Sequence, residues 1–197
     1  MTQHPSVARE RVLVMAEQLF IERGYAAVSM NDLAAALKMQ KASLYHHAPD
    51  GKEALYVEIM ERVLARYQQG LQDSIRAAEP SFRAQLRAAA HWLLDRPSLH
   101  YARMMQADMP ELSPENAQRL RRVVYMSLLV PLEAIFAPEM AGRGLDVAKK
   151  THVAGAFLSV IEGIQNLPEA FLQESRLDIA NYLIAVLFLP PGRDLQT

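Results

Sequence analysis

Val12, Leu13, Ala16, Leu19 and Phe20 recur at three- and four-residue intervals, which sets them along one stripe of a helix over residues 9–23. Gly24 stands just past that stripe, where a helix end favours a residue free to turn left-handed. Ser29, with Asp32 three residues on, has the spacing of a capping box, so a short second helix is expected from Met30 to about Ala36 or Leu37. A third short helix is expected over residues 41–46. Pro49 and Gly51 then break the chain, and Asp50 with Glu53 gives a second capping signal. The long fourth helix that it opens runs to about Ala78, before Pro80.

Beyond Pro80 the helical pattern continues in intervals cut by Pro97, by Pro110 and Pro114, by residues 138–144, by Pro168 and by the pair Pro190 and Pro191. Ser113, Pro114 and Glu115 read as an N-cap with proline in the first turn, and Pro131 is expected to kink or interrupt the helix that they start. Two further helices are expected over residues 146–165 and 176–189. Composition agrees: Ala and Leu supply 55 of the 197 residues, against 24 for Val, Ile and Thr together and only 8 Gly. The expectation is an all-α protein of about nine helices, with a three-helix domain over residues 1–50. A larger bundle over residues 51–197 is reached through the fourth helix.

Within residues 29–55, Leu33, Leu37, Met39 and Leu44 are spaced so that two short helices and their turn bury a common face, and Ala34 is small where the helices approach. That is a helix-turn-helix arrangement. The outward face of its second helix carries Lys41, Ala42, Ser43, Tyr45 and His46. Small side chains there admit close approach, while hydroxyl and basic groups reach phosphates and base edges in a major groove. The plainer alternatives are an ordinary helical hairpin and, for Tyr45, a packing aromatic. His46 and His47 are adjacent, so they point to different faces of a helix, and no further ligand completes a metal site. No metal and no cofactor are expected.

In this segment the sequence resembles the tetracycline-repressor (TetR) family of transcriptional regulators. The likeness runs from Arg9 to about Glu61 and includes LFIERGY at 19–25, the stretch at 29–34, KASLYHH at 41–47 and KEAL at 52–55. It implies that the third helix reads DNA, with Lys41, Ala42, Ser43 and His46 toward the bases and Tyr45, Ser29 and Lys52 on phosphates. Three positions depart from the family pattern. Lys38 stands where glycine is usual in the turn, Ala48 where an aromatic is frequent, and the link at residues 49–52 is one residue longer. The resemblance further implies a homodimer on a palindromic operator, most often a repressor, released by a small-molecule effector bound in the C-terminal bundle.

Charge narrows how DNA would be held. The chain has a formal net charge of −1, and within residues 37–52 three lysines face one aspartate. Attraction to DNA is therefore a local property of this patch, and affinity is expected to depend on pairing two copies.

In the second half, Trp92, Tyr101, Met104, Met105, Tyr125 and Met126 come from separate expected helices; if they converge, they form an apolar chamber for a hydrophobic or aromatic molecule. His91 or His100 would offer a polar anchor, and the alternative is a filled core. Val153, Phe157, Val160 and Ile164 share one stripe, and Ile179, Leu183 and Val186 another, with Gly155 and Gly163 permitting close approach. These stripes either form a four-helix dimer interface or bury within one subunit.

There are no cysteines, which removes disulfides, zinc ribbons and thiol nucleophiles and suits a reducing compartment, so a cytoplasmic protein is expected. No stretch is read as a membrane span, and the start MTQHPSVARERV lacks the apolar region of a signal peptide. HExxH, GxSxG and GxxxxGK motifs are absent, so an enzyme is not expected. The readings that compete with a regulator are a helical protein-binding adaptor and an all-helical enzyme without a recognisable motif.

Overall fold

The computed structural model describes residues 7–188, and these hold ten α-helical stretches and no strand. In chain order they are α1 (Val7–Arg23), α2 (Met30–Ala36), α3 (Lys41–His47), α4 (Gly51–Ala77), α5 (Phe82–Leu94), α6 (Tyr101–Arg103), α7 (Pro114–Val124), α8 (Val130–Gly142), α9 (Lys150–Gln165) and α10 (Arg176–Phe188). The expected helix end at Leu189 and the stop at Pro190 and Pro191 lie outside the described residues.

Pro131 interrupts its helix as expected, and the form of the interruption is a π-helical turn at Tyr125–Leu129 between α7 and α8. A proline lacks the N–H that would complete the helical ladder and its ring crowds the preceding turn, so widening that turn relieves both. Pro138 does not end α8, contrary to expectation: the helix continues to Gly142. Pro138 is exposed, as is Ala134 one turn earlier, so water can satisfy the backbone on that side. By length and composition alone Pro114–Gly142 is apolar enough to cross a membrane, as the core helix of a helical bundle also is. Its apolar residues Leu128, Leu132, Ile135 and Phe136 are buried within the chain as core.

The contacts group the chain into two units, and the division does not fall at residues 50 and 51. Unit 1 holds the residues up to Arg66 together with Ala102–Val124; unit 2 holds Tyr67–Tyr101 and the residues from Tyr125 onward. The first part of α4 belongs to unit 1 because charged residues tie it to α1. Arg9 makes paired hydrogen bonds to Glu58 at 2.8 Å, Arg62 pairs with Glu10 at 2.6 and 3.1 Å, and Arg66 with Glu17 at 2.5 Å.

The core of unit 1 buries Val12, Leu13, Ala16 and Phe20 of α1, with Phe20 edge-on to Tyr56 at 5.1 Å. Residues 102–124 are fixed to it by polar anchors that the sequence did not disclose. Buried Asp108 accepts hydrogen bonds from the Tyr25 N–H at 2.8 Å and the Tyr56 hydroxyl at 3.2 Å. Burial and then the Asp108 charge push the Tyr56 ionisation far up, so its hydroxyl remains a donor. Arg103 donates to the carbonyls of Phe20, Ile21 and Glu22 at the end of α1, where Phe20 O also accepts from the Gly24 N–H at 2.9 Å. Gly24 is required twice over: its φ is +83°, and a β-carbon there would lie 2.9 Å from Asp108 Oδ1.

Glu53 does not form the expected capping box. It accepts from the Ser113 N–H at 2.9 Å, the Ser113 hydroxyl at 2.5 Å and the Asn116 amide at 2.7 Å, three donors where a cap offers one. Those bonds hold its carboxyl below the usual range.

Unit 2 is held by apolar interlock. Phe136 stands edge-on to Phe82 at 5.7 Å and to Phe157 at 5.9 Å, with Leu86, Ala89, Ile161 and Ile184 buried in the same core. Glu133, also buried, accepts from the Thr151 hydroxyl at 2.6 Å and the Tyr125 hydroxyl at 3.2 Å, and Lys150 Nζ lies 3.4 Å away. Trp92 presses on Gly70, where a β-carbon would fall 2.1 Å from its ring.

Candidate nucleic-acid interface

The two short helices α2 and α3 have seven residues each, too few to persist alone, and local chemistry holds them. The capping box expected at Ser29 is complete: the Asp32 N–H donates to Ser29 Oγ at 3.2 Å, and the Ser29 N–H donates to Asp32 Oδ2 at 2.8 Å. The Ser29 hydroxyl also donates to Asp32 at 2.5 Å, and these bonds lower the Asp32 carboxyl. Leu33, Ala34 and Leu44 are buried between the helices. At the end of α2, the Met39 N–H reaches Ala34 O at 3.0 Å and the Lys38 N–H reaches Ala35 O at 3.0 Å, closing a Schellman turn. Lys38 takes the left-handed position that this turn demands, with φ 54°. A side chain in that conformation costs about 1–2 kcal/mol relative to glycine.

With Leu44 fully buried, the rest of α3 faces outward. Lys41, Ala42, Ser43, Tyr45 and His46 are all exposed, while His47 is half-buried and Ala48 buried. The helix therefore presents a short patch of small, hydroxyl-bearing and basic groups on a rigid two-helix platform. Two expected phosphate ligands already have partners within unit 1. Besides the Ser29 hydroxyl in its capping box, Lys52 Nζ donates to Tyr25 O at 3.0 Å and lies 3.8 Å from the centre of the Tyr25 ring. Lys52 is thus a fixed charge at the start of α4.

The aromatic and methionine residues of the second half do not gather into one chamber. Met104 is buried in unit 1, to which half-buried Met105 also belongs. Trp92 is spent on Gly70, on the edge of Tyr67 at 5.3 Å and on the Arg96 guanidinium at 4.0 Å. Tyr125 and Met126 are 37% and 46% exposed, because the π turn swings them outward while Ser127, Leu128 and Leu129 go in. Of the six, only Tyr101 lines the cavity that unit 2 does contain, beside Tyr67, Leu99, Leu158 and Glu162. It offers about 30 Å³, room for two or so water molecules.

The paired stripes on α9 and α10 are corrected in part. Phe157 and Ile164 are buried in the subunit core, at 0% and 3% exposure. Val153, Val160, Ile179 and Leu183 are half-buried and Val186 is exposed, so these stay available to a partner. Tyr182 and Leu187, at 64% and 55% exposure, extend the exposed side of α10. Gly155 and Gly163 have nothing within 4 Å of where a β-carbon would stand.

Comparison with known proteins places this geometry. Residues 12–59 match the sequence profile described as bacterial regulatory proteins, tetR family. The HTH-type transcriptional repressor NemR of Escherichia coli strain K12 is 32% identical over 87 residues, which is 44% of this chain and 42% of NemR. The chain thus matches about two fifths of that relative's length. Over nearly the full length the fold is shared with AibR, solved in complex with isovaleryl coenzyme A and operator DNA: the TM-score is 0.73 at 23% identity, covering 93% of this chain and 99% of AibR. PfmR of Thermus thermophilus, a TetR family transcriptional regulator, superposes with a TM-score of 0.59 at 27% identity, covering 95% of this chain and all of PfmR (100%).

Proposed function

We propose that the chain, whose residues 12–59 match the tetR family of bacterial regulatory proteins, is a DNA-binding transcriptional regulator, a repressor that grips a palindromic operator as a homodimer. The observation that carries this reading is α3, whose single buried anchor, Leu44, leaves Lys41, Ala42, Ser43, Tyr45 and His46 outward on a helix fixed by its neighbour's cap. Lys41 and His46 read bases; Tyr45 and Lys52 hold phosphates, with Ser29 contributing where phosphate competes with Asp32. The protein acts where its DNA lies, in the cytoplasm, and its role is binding, with no catalysis.

Dimerisation uses the outward faces of α9 and α10: Val153, Val160 and the two open glycines on one, Ile179, Tyr182, Leu183 and Val186 on the other. The cavity of unit 2 is the seat of the effector, and it opens when the effector enters. AibR, which shares the fold, was crystallised with both a small molecule and operator DNA, and this supports a two-ligand reading. An effector releases DNA by binding better to a conformation that fits the operator poorly.

Selection of bound sequences from random duplex DNA tests the reading. The expected product is an inverted repeat with half-sites one helical turn apart, about 34–36 Å, or a multiple of that. Lys41→Ala should relax selection at defined positions by roughly 1–3 kcal/mol. Recovery of no enriched motif, or of one without two-fold symmetry, would overturn the assignment.

A further inference from the structure

The outward side of α1 is not wholly polar. Val12, Leu13, Ala16, Leu19 and Phe20 turn into the core of unit 1, and the opposite side carries Val7, Arg11, Val14 and Gln18, spaced four, three and four residues apart. All four are exposed, Val7 at 83% and Val14 at 49%. Alternating steps of three and four are the pattern by which one helix offers a seam to another. Single exposed valines are commonplace, but these two share a surface. With Leu37 and Lys38, just past the end of α2, the seam lines an open groove of about 750 Å³ that lies wholly within unit 1. None of the outward residues of α3 borders it.

The charge of the groove is one-sided. Glu10, the acid on its wall, accepts from the Arg62 guanidinium at 2.6 and 3.1 Å, and those bonds hold its carboxyl below the usual range. Glu10 is thus ionised and already matched by Arg62. Arg11 and Lys38 are exposed, and among the described residues neither has a hydrogen bond or an ion pair. The Schellman turn fixes the backbone at Lys38, left-handed at φ 54°. Two cations beside an apolar surface favour a guest that brings both apolar side chains and carboxylates.

Charge also separates the occupants of such a face. Residues 1–6, which lead into Val7, contain no Asp or Glu. A second copy joined through this face about a two-fold axis would set Arg11 and Lys38 against the same two cations. We propose that the groove docks an amphipathic helix of another protein, its apolar stripe meeting Val7, Val14 and Leu37 and its flanking Asp or Glu side chains meeting Arg11 and Lys38. Arg11 stands within the seam and selects the partner, as a polar seam residue does between paired helices.

Designed helical peptides of about 18 residues, five turns, test it on the full chain. Each carries leucines in alternating steps of three and four, flanked by glutamate in the first peptide, by glutamine in the second and by lysine in the third. With a fluorophore on each peptide, anisotropy at low salt should show the glutamate peptide binding at least about tenfold tighter than the lysine peptide, a factor worth 1.4 kcal/mol. The glutamine peptide should fall between them. Arg11→Glu should abolish or reverse that preference, and Val14→Gln should weaken the glutamate and glutamine peptides alike, by about threefold or more. Both side chains are exposed, so both variants should unfold at the temperature of the wild type. Equal binding of the three peptides, or an unchanged preference in Arg11→Glu, would overturn the charge selection, and binding of none would overturn the docking site. Assemblies larger than a dimer that Val14→Gln disperses in sedimentation would give the face to a second copy. Phosphatidylglycerol vesicles that bind where the glutamate peptide does not would give it to a lipid surface, and either result would overturn the acidic helix as partner.

Discussion

Unit 1 and unit 2 are both helical, yet they are held by different forces. In unit 1 the long helices α1 and α4 are laced by three arginine–carboxylate pairs, α2 is closed by a reciprocal cap, and residues 102–124 are pinned through Asp108, Arg103 and Glu53. In unit 2 an edge-to-face chain of Phe82, Phe136 and Phe157 does comparable work with few charges. The contrast follows from size and task. Two seven-residue helices cannot bury much apolar surface, so directional bonds with defined geometry must fix the platform that they form. A bundle of longer helices has apolar faces enough to be fixed by packing, and packing leaves room for a cavity.

The largest test of this contrast is Phe157→Ala, in the middle of the aromatic chain. Its side chain is fully buried, so truncation should cost roughly 3–5 kcal/mol, seen as a lower urea midpoint. Val186→Glu, on the exposed side of α10, should leave monomer stability nearly unchanged while sedimentation shows loss of the dimer. A Phe157→Ala variant of native stability would mean that the aromatic chain is not what holds unit 2.

Next in size is Asp108→Asn. It keeps an acceptor for one of the two donors, Tyr25 N–H or the Tyr56 hydroxyl, but removes the charge opposite Arg103. Leaving that partly buried cation uncompensated should cost roughly 1–3 kcal/mol. The variant should also weaken operator binding although Asp108 is buried away from any DNA contact, because it fixes Tyr25, whose carbonyl and ring hold Lys52. Unchanged DNA affinity in Asp108→Asn would detach this anchor from function.

How much of this was legible in sequence divides along the same line. The stripe of α1, the Ser29–Asp32 cap and the outward set on α3 were readable because their partners lie within four residues of one another, where spacing alone dictates contact. Glu53 was misread for the opposite reason: its three donors sit about sixty residues on, beyond the reach of any local rule. On α9 the expected stripe and the buried one, Ala154, Phe157, Leu158, Ile161 and Ile164, share Phe157 and Ile164. A helix apolar over most of its circumference does not say which side its own subunit covers. Trp92 was taken for a pocket wall because nothing in the sequence pairs it with Gly70.

A third prediction uses pH to separate the units. The hydrogen bonds from Ser113 and Asn116 depress the Glu53 carboxyl in the folded state below its unfolded value. Its contribution is therefore complete above the unfolded carboxylate range and is lost as pH falls through the depressed folded value. Wild type should lose its advantage over Glu53→Gln as pH falls from neutral through the unfolded carboxylate range and below it, a change readable in urea midpoints. A gap between the two proteins that stays constant over this range would show that the charge of Glu53 is not what anchors Ser113.

The smallest effect is expected at Lys38, and it probes the platform most directly. Lys38→Gly removes the left-handed cost of about 1–2 kcal/mol but adds the greater chain entropy of an unfolded glycine, about 0.5–1 kcal/mol. The difference predicts a net gain of up to about 1.5 kcal/mol in stability. The same change removes one of the three lysines within residues 37–52, so the stabler protein should bind DNA less tightly at low salt. Stability and affinity moving in opposite directions would mean that the turn keeps its strained lysine for the charge it carries. If Lys38→Gly instead destabilises the fold, the side chain makes a contact worth more than its strain, and the turn is held by something other than its backbone hydrogen bonds.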